Sequence, residues 1–279
     1  MLILKNVKPG NSKIQKGEYP FQKEYTVARR KMIEELQARD IQDPRVLEMM
    51  GKIPRHRFVE EALISQAYQD TPLNIGYGQT ISQPYTVALL AQLLHLQGHE
   101  SILEIGTGCG YQTAILSGLA KQIYSIERLH SLILKARSNL KGLEIKNVIL
   151  KYGDGSQGWK DYAPFDAIVA AAVSPQIPKP LVEQLAEGGR LVVPIEKNGK
   201  QQLVCVLNQG GHYKQEVIED CRFVKMVGKH AFGEKKLQTS IAELGSGRKV
   251  FKPRTNQTKN SGIHPALHRK RSHSPASEN

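Results

Sequence analysis

The stretch Ser101–Thr113, reading SILEIGTGCGYQT, decides the fold. Ile102, Leu103 and Ile105 make a short apolar strand, Gly106, Gly108 and Gly110 permit a sharp turn, and the residues from Tyr111 to Ala120 can continue as a helix. That is the first strand, loop and helix of a doubly wound sheet, and ligands bind at such a switch point. The glycine spacing is G-x-G-x-G, not the G-x-G-x-x-G that seats a dinucleotide pyrophosphate on a helix N-terminus. Glu104 stands two residues before the first glycine, where its charge would oppose a phosphate and suit an ammonium group. S-adenosylmethionine carries an ammonium and a sulfonium and no phosphate, which favours it over NAD. Taken alone, the loop also fits a plain tight turn, since G-x-G occurs wherever a helix packs close to a strand.

Downstream, the pattern repeats. Gln122 to Ile126 reads as a second strand ending on Glu127, about twenty residues beyond Gly106, where an α/β nucleotide fold places its partner for ribose hydroxyls. Strand ends often carry acids, so Glu127 gains its meaning from the glycines before it. A helix over Leu129–Leu140 and a strand over Val148–Tyr152 lead into Gly153-Asp154-Gly155. There the carboxylate of Asp154 can accept from an adenine amino group while Gly155 admits the ring; an ordinary Asp-Gly turn explains the same residues. Phe165 to Ala172 is apolar throughout, as suits the centre of a parallel sheet covered on both faces. Pro180 to Ala186 reads as a short helix stopped by Gly188-Gly189, with a fifth strand over Arg190–Ile195. Leu203–Leu207 and Tyr213–Ile218 form an antiparallel edge hairpin, and Phe223–Val227 is a further short strand.

Upstream lies a helical preface. Ala28, Met32 and Leu36 recur at helical spacing from near Tyr25, Asp43 and Pro44 supply a cap and first-turn proline for a second helix, and His56 to Gln69 reads as a third. A nucleotide-binding sheet does not need this preface to fold, so it is expected to be a lid or substrate-binding region. Thr71–Pro84 is polar and glycine-bearing, and Ser82 or Gln83 should cap the helix that Pro84 opens. Ser82 at the positive end of that helix is a natural seat for a carboxylate, and as readily a simple cap.

The chain of 279 residues can bury a full core in one α/β domain of about 200 residues with extensions. Residues 1–24 read as a loose lead, 25–244 as the folded domain and 245–279 as a basic, disordered tail. The formal charge of +13 is misleading as a nucleic-acid signal. About half of the excess sits in the tail, where Arg248, Lys249, Lys252, Arg254, Lys259, Arg269, Lys270 and Arg271 face only Glu278. Contact with nucleic acid is not expected except through that tail. No membrane span or signal peptide is visible, and Cys109, Cys205 and Cys221 have neither disulfide nor metal spacing. A cytoplasmic monomer without a bound metal is expected.

The run Gly78-Gln79-Thr80-Ile81-Ser82-Gln83-Pro84, followed by Leu103-Glu104-Ile105-Gly106-Thr107-Gly108 and Gly110-Tyr111-Gln112-Thr113, resembles the protein-L-isoaspartate O-methyltransferase family. The resemblance extends through Arg45-Val46-Leu47, Pro54-Arg55-His56, Ala67-Tyr68, Gly153-Asp154-Gly155, Phe165-Asp166-Ala167-Ile168 and Gly228-Lys229-His230. It covers the chain from near Arg29 to near Phe232. Departures fall at Cys109, where serine is usual, at Lys225, where proline is usual, and at Ala231-Phe232 in place of Gly-Trp. The resemblance implies a Rossmann-like fold with a mostly parallel doubly wound sheet, an antiparallel edge hairpin and an N-terminal helical extension. It also implies methyl transfer from S-adenosylmethionine to the α-carboxyl of isoaspartyl residues in damaged proteins and peptides, whose ester re-forms succinimide and so allows repair. Carried over by position, Ser82 matches the active-site serine, and Glu104, Gly106, Gly108, Glu127, Asp154 and Gly155 match cofactor-binding motifs. A methyltransferase for RNA would keep the cofactor residues without the Gly78–Pro84 run, and a non-enzymatic nucleic-acid binder would need no Glu104 or Asp154.

Overall fold

The computed structural model describes residues 25–233; the expected lead over 1–24 and the basic tail lie outside the described residues. Two helices come first, α1 (Thr26–Gln37) and α2 (Pro44–Lys52). The Asp43 carboxylate caps α2 by accepting from the backbone N–H of Arg45 at 2.9 Å. Where the sequence suggested a third helix over His56–Gln69, there are two short 3₁₀ turns, Arg55–Phe58 and Glu61–Gln66. Val59-Glu60 between them is extended, which breaks the helical hydrogen-bond ladder. The polar stretch before Pro84 is a small antiparallel hairpin, β1 (Leu73–Gly76) and β2 (Gln79–Ile81), and α3 (Pro84–Leu93) follows.

The main sheet begins at β3 (Ser101–Ile105), followed by α4 (Tyr111–Ser117), β4 (Gln122–Glu127), α5 (His130–Gly142), β5 (Val148–Tyr152), β6 (Phe165–Ala170), α6 (Lys179–Val182), β7 (Leu185–Lys197), β8 (Lys200–Gln209) and β9 (His212–Asp220). Its seven strands run in the order β5-β4-β3-β6-β7-β8-β9. The first five in that order pair in parallel, while β8 and β9 pair antiparallel at the edge. Strand order reverses between β3 and β6, so the carboxyl ends of these strands open the crevice in which ligands of such sheets sit. β7 begins earlier than expected and passes through Gly188-Gly189. A Cβ at Gly189 would press on the backbone carbonyls of Phe165, Asp166 and Ala186, so glycine lets β7 approach β6 where their register shifts.

Alternation along β3 sends Ile102 to one core and Leu103 and Ile105 to the other. The helical preface belongs to the first of these cores. Met32, Leu36, Met50 and Phe58 are buried in one cluster with Ile102, Ile115 and Val169. α1 and α2 thus form part of the layer that covers the sheet. Removing them would uncover apolar surface at about 25 cal/mol per Å².

Candidate active site

The loop after β3 is shaped by its glycines. Gly110, at φ +89°, lies so close to α5 that a Cβ would press on Ala136 at 3.3 Å. A Cβ on Gly155 would collide with the Ile105 side chain, so this glycine brings the turn after β5 against the end of β3. Glu127 holds the two halves together: its carboxylate accepts from the Gly108 N–H at 3.0 Å and the Leu129 N–H at 2.9 Å. The glycine loop is thus tied to the start of α5 through the end of β4.

Beside this loop lies an open cavity. Ser82, Gly106, Gly108, Glu127 and Gly155 all line it. Residues that had no expected site role join them: Gln79 and Thr80 from the hairpin, Tyr111 and Gln112 from α4, and Lys225 and Met226 from the segment after β9. Its apolar wall includes Ile81, Val87, Ile105, Ile126, Leu132 and Val227.

Two of the expected cofactor residues stand apart from this lining. Glu104 is wholly buried behind Gln112, and its carboxylate accepts from Gln112 Nε2 at 3.1 Å, Thr113 Oγ1 at 2.5 Å and Ser125 Oγ at 2.6 Å. Burial pushes its pKa up to about 7, against the lowering effect of the three donors. Its side chain joins β3, β4 and α4. Asp154 is similarly engaged. It accepts from the Ser156 N–H at 2.9 Å, Ser156 Oγ at 2.7 Å, Gln157 Nε2 at 3.2 Å and the Lys229 N–H at 2.8 Å. Partial burial would raise its pKa, but these bonds hold it below the ordinary 3.8. Asp154 therefore stitches its turn to the Gly228–His230 segment.

Of the two residues expected to cap α3, Ser82 and Gln83, only the second takes the N-cap position. Gln83 occupies the N-cap position of α3 without a side-chain capping bond, and the carboxylate of Asp70 accepts from the Tyr85 N–H at 2.9 Å. Asp70 also takes Gln83 Nε2 at 3.2 Å and pairs with Arg39. Ser82 is therefore not the cap, and its hydroxyl makes no hydrogen bond among the described residues. Its backbone is fixed instead by Arg55, which is fully buried and donates to the Ser82 carbonyl and to the Ala67 carbonyl, each at 2.7 Å. The same guanidinium lies 4.8 Å from the ring centroid of Tyr111. Desolvation lowers the Arg55 pKa from its ordinary value. Among the described residues, no group of His, Cys, Asp and Glu side chains could hold a metal ion. No helix among them is long and apolar enough to cross a membrane.

Residues 27–231 match the family of protein-L-isoaspartate(D-aspartate) O-methyltransferases. The chain belongs to this family. Among its relatives, a protein-L-isoaspartate O-methyltransferase from Geobacter metallireducens is 51% identical over 211 residues, covering 75% of this chain and 98% of the relative. A protein-L-isoaspartate O-methyltransferase 1 from Syntrophobacter fumaroxidans is 54% identical over 203 residues, covering 72% of this chain and 95% of the relative. A solved protein-L-isoaspartate O-methyltransferase superposes with a TM-score of 0.68 at 26% identity, covering 76% of this chain and 70% of that one. A Plasmodium falciparum protein described as a family member, solved with S-adenosyl-L-homocysteine, gives 0.65 at 26% identity, covering 72% and 99%. The protein is thus a protein-repair enzyme that uses S-adenosylmethionine to methylate isoaspartyl groups.

Proposed function

We propose that Ser82 orients the isoaspartyl α-carboxylate in the cavity, while Gly106, Gly108, Glu127 and Gly155 hold the cofactor. One observation supports this division above others: Ser82 on the hairpin side and the glycine loop with Glu127 share a single cavity. The residues fit a cofactor of this chemistry. No phosphate cradle is needed, Glu127 retains about two of its four acceptor positions for ribose hydroxyls, and Gly155 leaves room at the wall. When bound, S-adenosylmethionine supplies an electrophilic methyl group on a sulfonium.

A carboxylate is ionised at neutral pH, so the acceptor needs no general base. Serine suits this role because its hydroxyl donates one hydrogen bond and fixes a lone pair's direction without taking a proton. Arg55, gripping the Ser82 carbonyl, keeps the hydroxyl at a fixed place on the wall. The apolar residues Ile81, Val87, Ile126 and Val227 exclude water from a reaction in which opposite charges neutralise each other, where desolvation and alignment provide most of the rate. We extend the reading to a cytoplasmic monomer; three free cysteines are in keeping with a reducing compartment.

The test is Ser82→Ala. Loss of a hydrogen bond to a charged group is worth about 1.5 to 3 kcal/mol, so turnover on an isoaspartyl peptide should fall roughly ten- to a hundredfold. Affinity for S-adenosylhomocysteine should hold. Because Asp70 caps α3, stability should change by less than about 0.5 kcal/mol. Normal turnover by the folded variant would withdraw the assignment.

A further inference from the structure

The wall opposite the glycine loop in sequence, Val224–Val227, carries a charge that the reaction itself does not use. Its backbone is clamped to Val173, just beyond β6, and to Phe232: Val173 donates to Val224 at 2.8 Å, Met226 to Val173 at 2.7 Å, and Phe232 to Met226 at 3.0 Å. Lys225 therefore lines the cavity from a fixed strand-like segment, while its side chain stays exposed towards solvent. Its ammonium lies 4.8 Å from the ring centroid of Phe232. No carboxylate among the described residues pairs with it. The other charged residues lining the cavity are Glu127, whose oxygens are engaged with Gly108 and Leu129, and Arg128. Lys225 and Phe232, two positions at which the sequence departs from the family pattern, are thus in contact at this wall.

We infer that Lys225 makes the acceptor site selective for isoaspartyl residues whose neighbours in the chain are acidic. The inference rests on the reading of this cavity as the acceptor site. The isoaspartyl residue enters on a peptide, so residues flanking it must pass the exposed rim while the reacting carboxylate goes inside. A lysine with no carboxylate partner, seated on an aromatic face, offers a fixed cation there at little further cost in side-chain freedom. It attracts a flanking carboxylate and gives nothing to a flanking amide. An exposed or half-exposed ion pair changes affinity by up to about fivefold and weakens as salt rises.

The experiment uses two isoaspartyl hexapeptides that differ only in Glu or Gln after the isoaspartate, with the full-length enzyme and saturating S-adenosylmethionine at low ionic strength. The wild type should prefer the Glu peptide about three- to fivefold in kcat/KM, and the preference should shrink at high salt. Lys225→Gln should abolish it and Lys225→Arg should retain it, with affinity for S-adenosylhomocysteine unchanged in both. Equal use of the two peptides by the wild type, or an unchanged preference in Lys225→Gln, would overturn the inference and leave the acceptor reading standing. Loss of S-adenosylhomocysteine affinity in Lys225→Gln would also overturn it, by placing the cation on the cofactor's carboxylate. Methylation of neither peptide by the wild type, with S-adenosylhomocysteine still bound, would overturn the acceptor reading and this inference together.

Discussion

Glu104 offers a prediction whose size follows from its surroundings. It is fully buried, and burial lifts its carboxyl from the ordinary 4.5 to about 7 although Gln112, Thr113 and Ser125 all donate to it. A carboxyl raised in the folded state contributes stability that is complete below its unfolded pKa. That contribution is lost as pH rises through the folded pKa. The window is therefore from about 4.5 to about 7. At roughly 1.4 kcal/mol per pH unit, ionisation of this group should cost the folded state about 2.5 kcal/mol more at pH 8 than at pH 5. Glu104→Gln has nearly the same shape and does not titrate, and the Thr113 and Ser125 hydroxyls can rotate to suit the amide. Urea denaturation of wild type and variant at both pH values cancels every other titration. The unfolding free energy of the variant relative to wild type should increase by about 2.5 kcal/mol between pH 5 and pH 8. A difference that stays constant with pH would mean that Glu104 titrates as an ordinary carboxylate, and the reasoning from burial would be wrong.

Asp70→Ala should cost about 1 to 2 kcal/mol in denaturant unfolding through loss of the α3 cap, with Asp70→Asn costing less; equal stability of all three proteins would return the cap to another residue. Glu127→Ala should weaken S-adenosylhomocysteine binding by about 1 to 3 kcal/mol in calorimetry, because the carboxylate both positions Gly108 and faces the cavity; unchanged affinity would remove it from the cofactor site.

Much of the sheet was legible because strand and helix periods are local. Ile102, Leu103 and Ile105 and the glycines after them read correctly as a strand and a tight loop, and Leu203–Leu207 and Tyr213–Ile218 read correctly as an antiparallel edge hairpin. What escaped were arrangements made across the chain. Asp70 reaches the N–H of Tyr85, 15 residues on, and Arg55 reaches the Ser82 carbonyl, 27 residues on; neither distance leaves a periodic trace. The hairpin over Leu73–Ile81 looked like a loop because its strands are only four and three residues long and bracket Tyr77-Gly78. Motif position marked Glu104 and Asp154 as site residues but left their protein donors out of view, because those donors come from α4, β4 and the Gly228–His230 segment.

Methyl transfer to isoaspartate is tested most directly by the initial rate of radiolabelled methyl incorporation from S-adenosylmethionine into a pair of peptides identical except for L-isoaspartate or L-aspartate at one position. The isoaspartyl peptide should be methylated, with a base-labile ester as product, while the aspartyl peptide stays at background. Equal labelling of the two, or labelling of neither by an enzyme that binds S-adenosylhomocysteine, would contradict an active site built to seat the isoaspartyl carboxylate against Ser82.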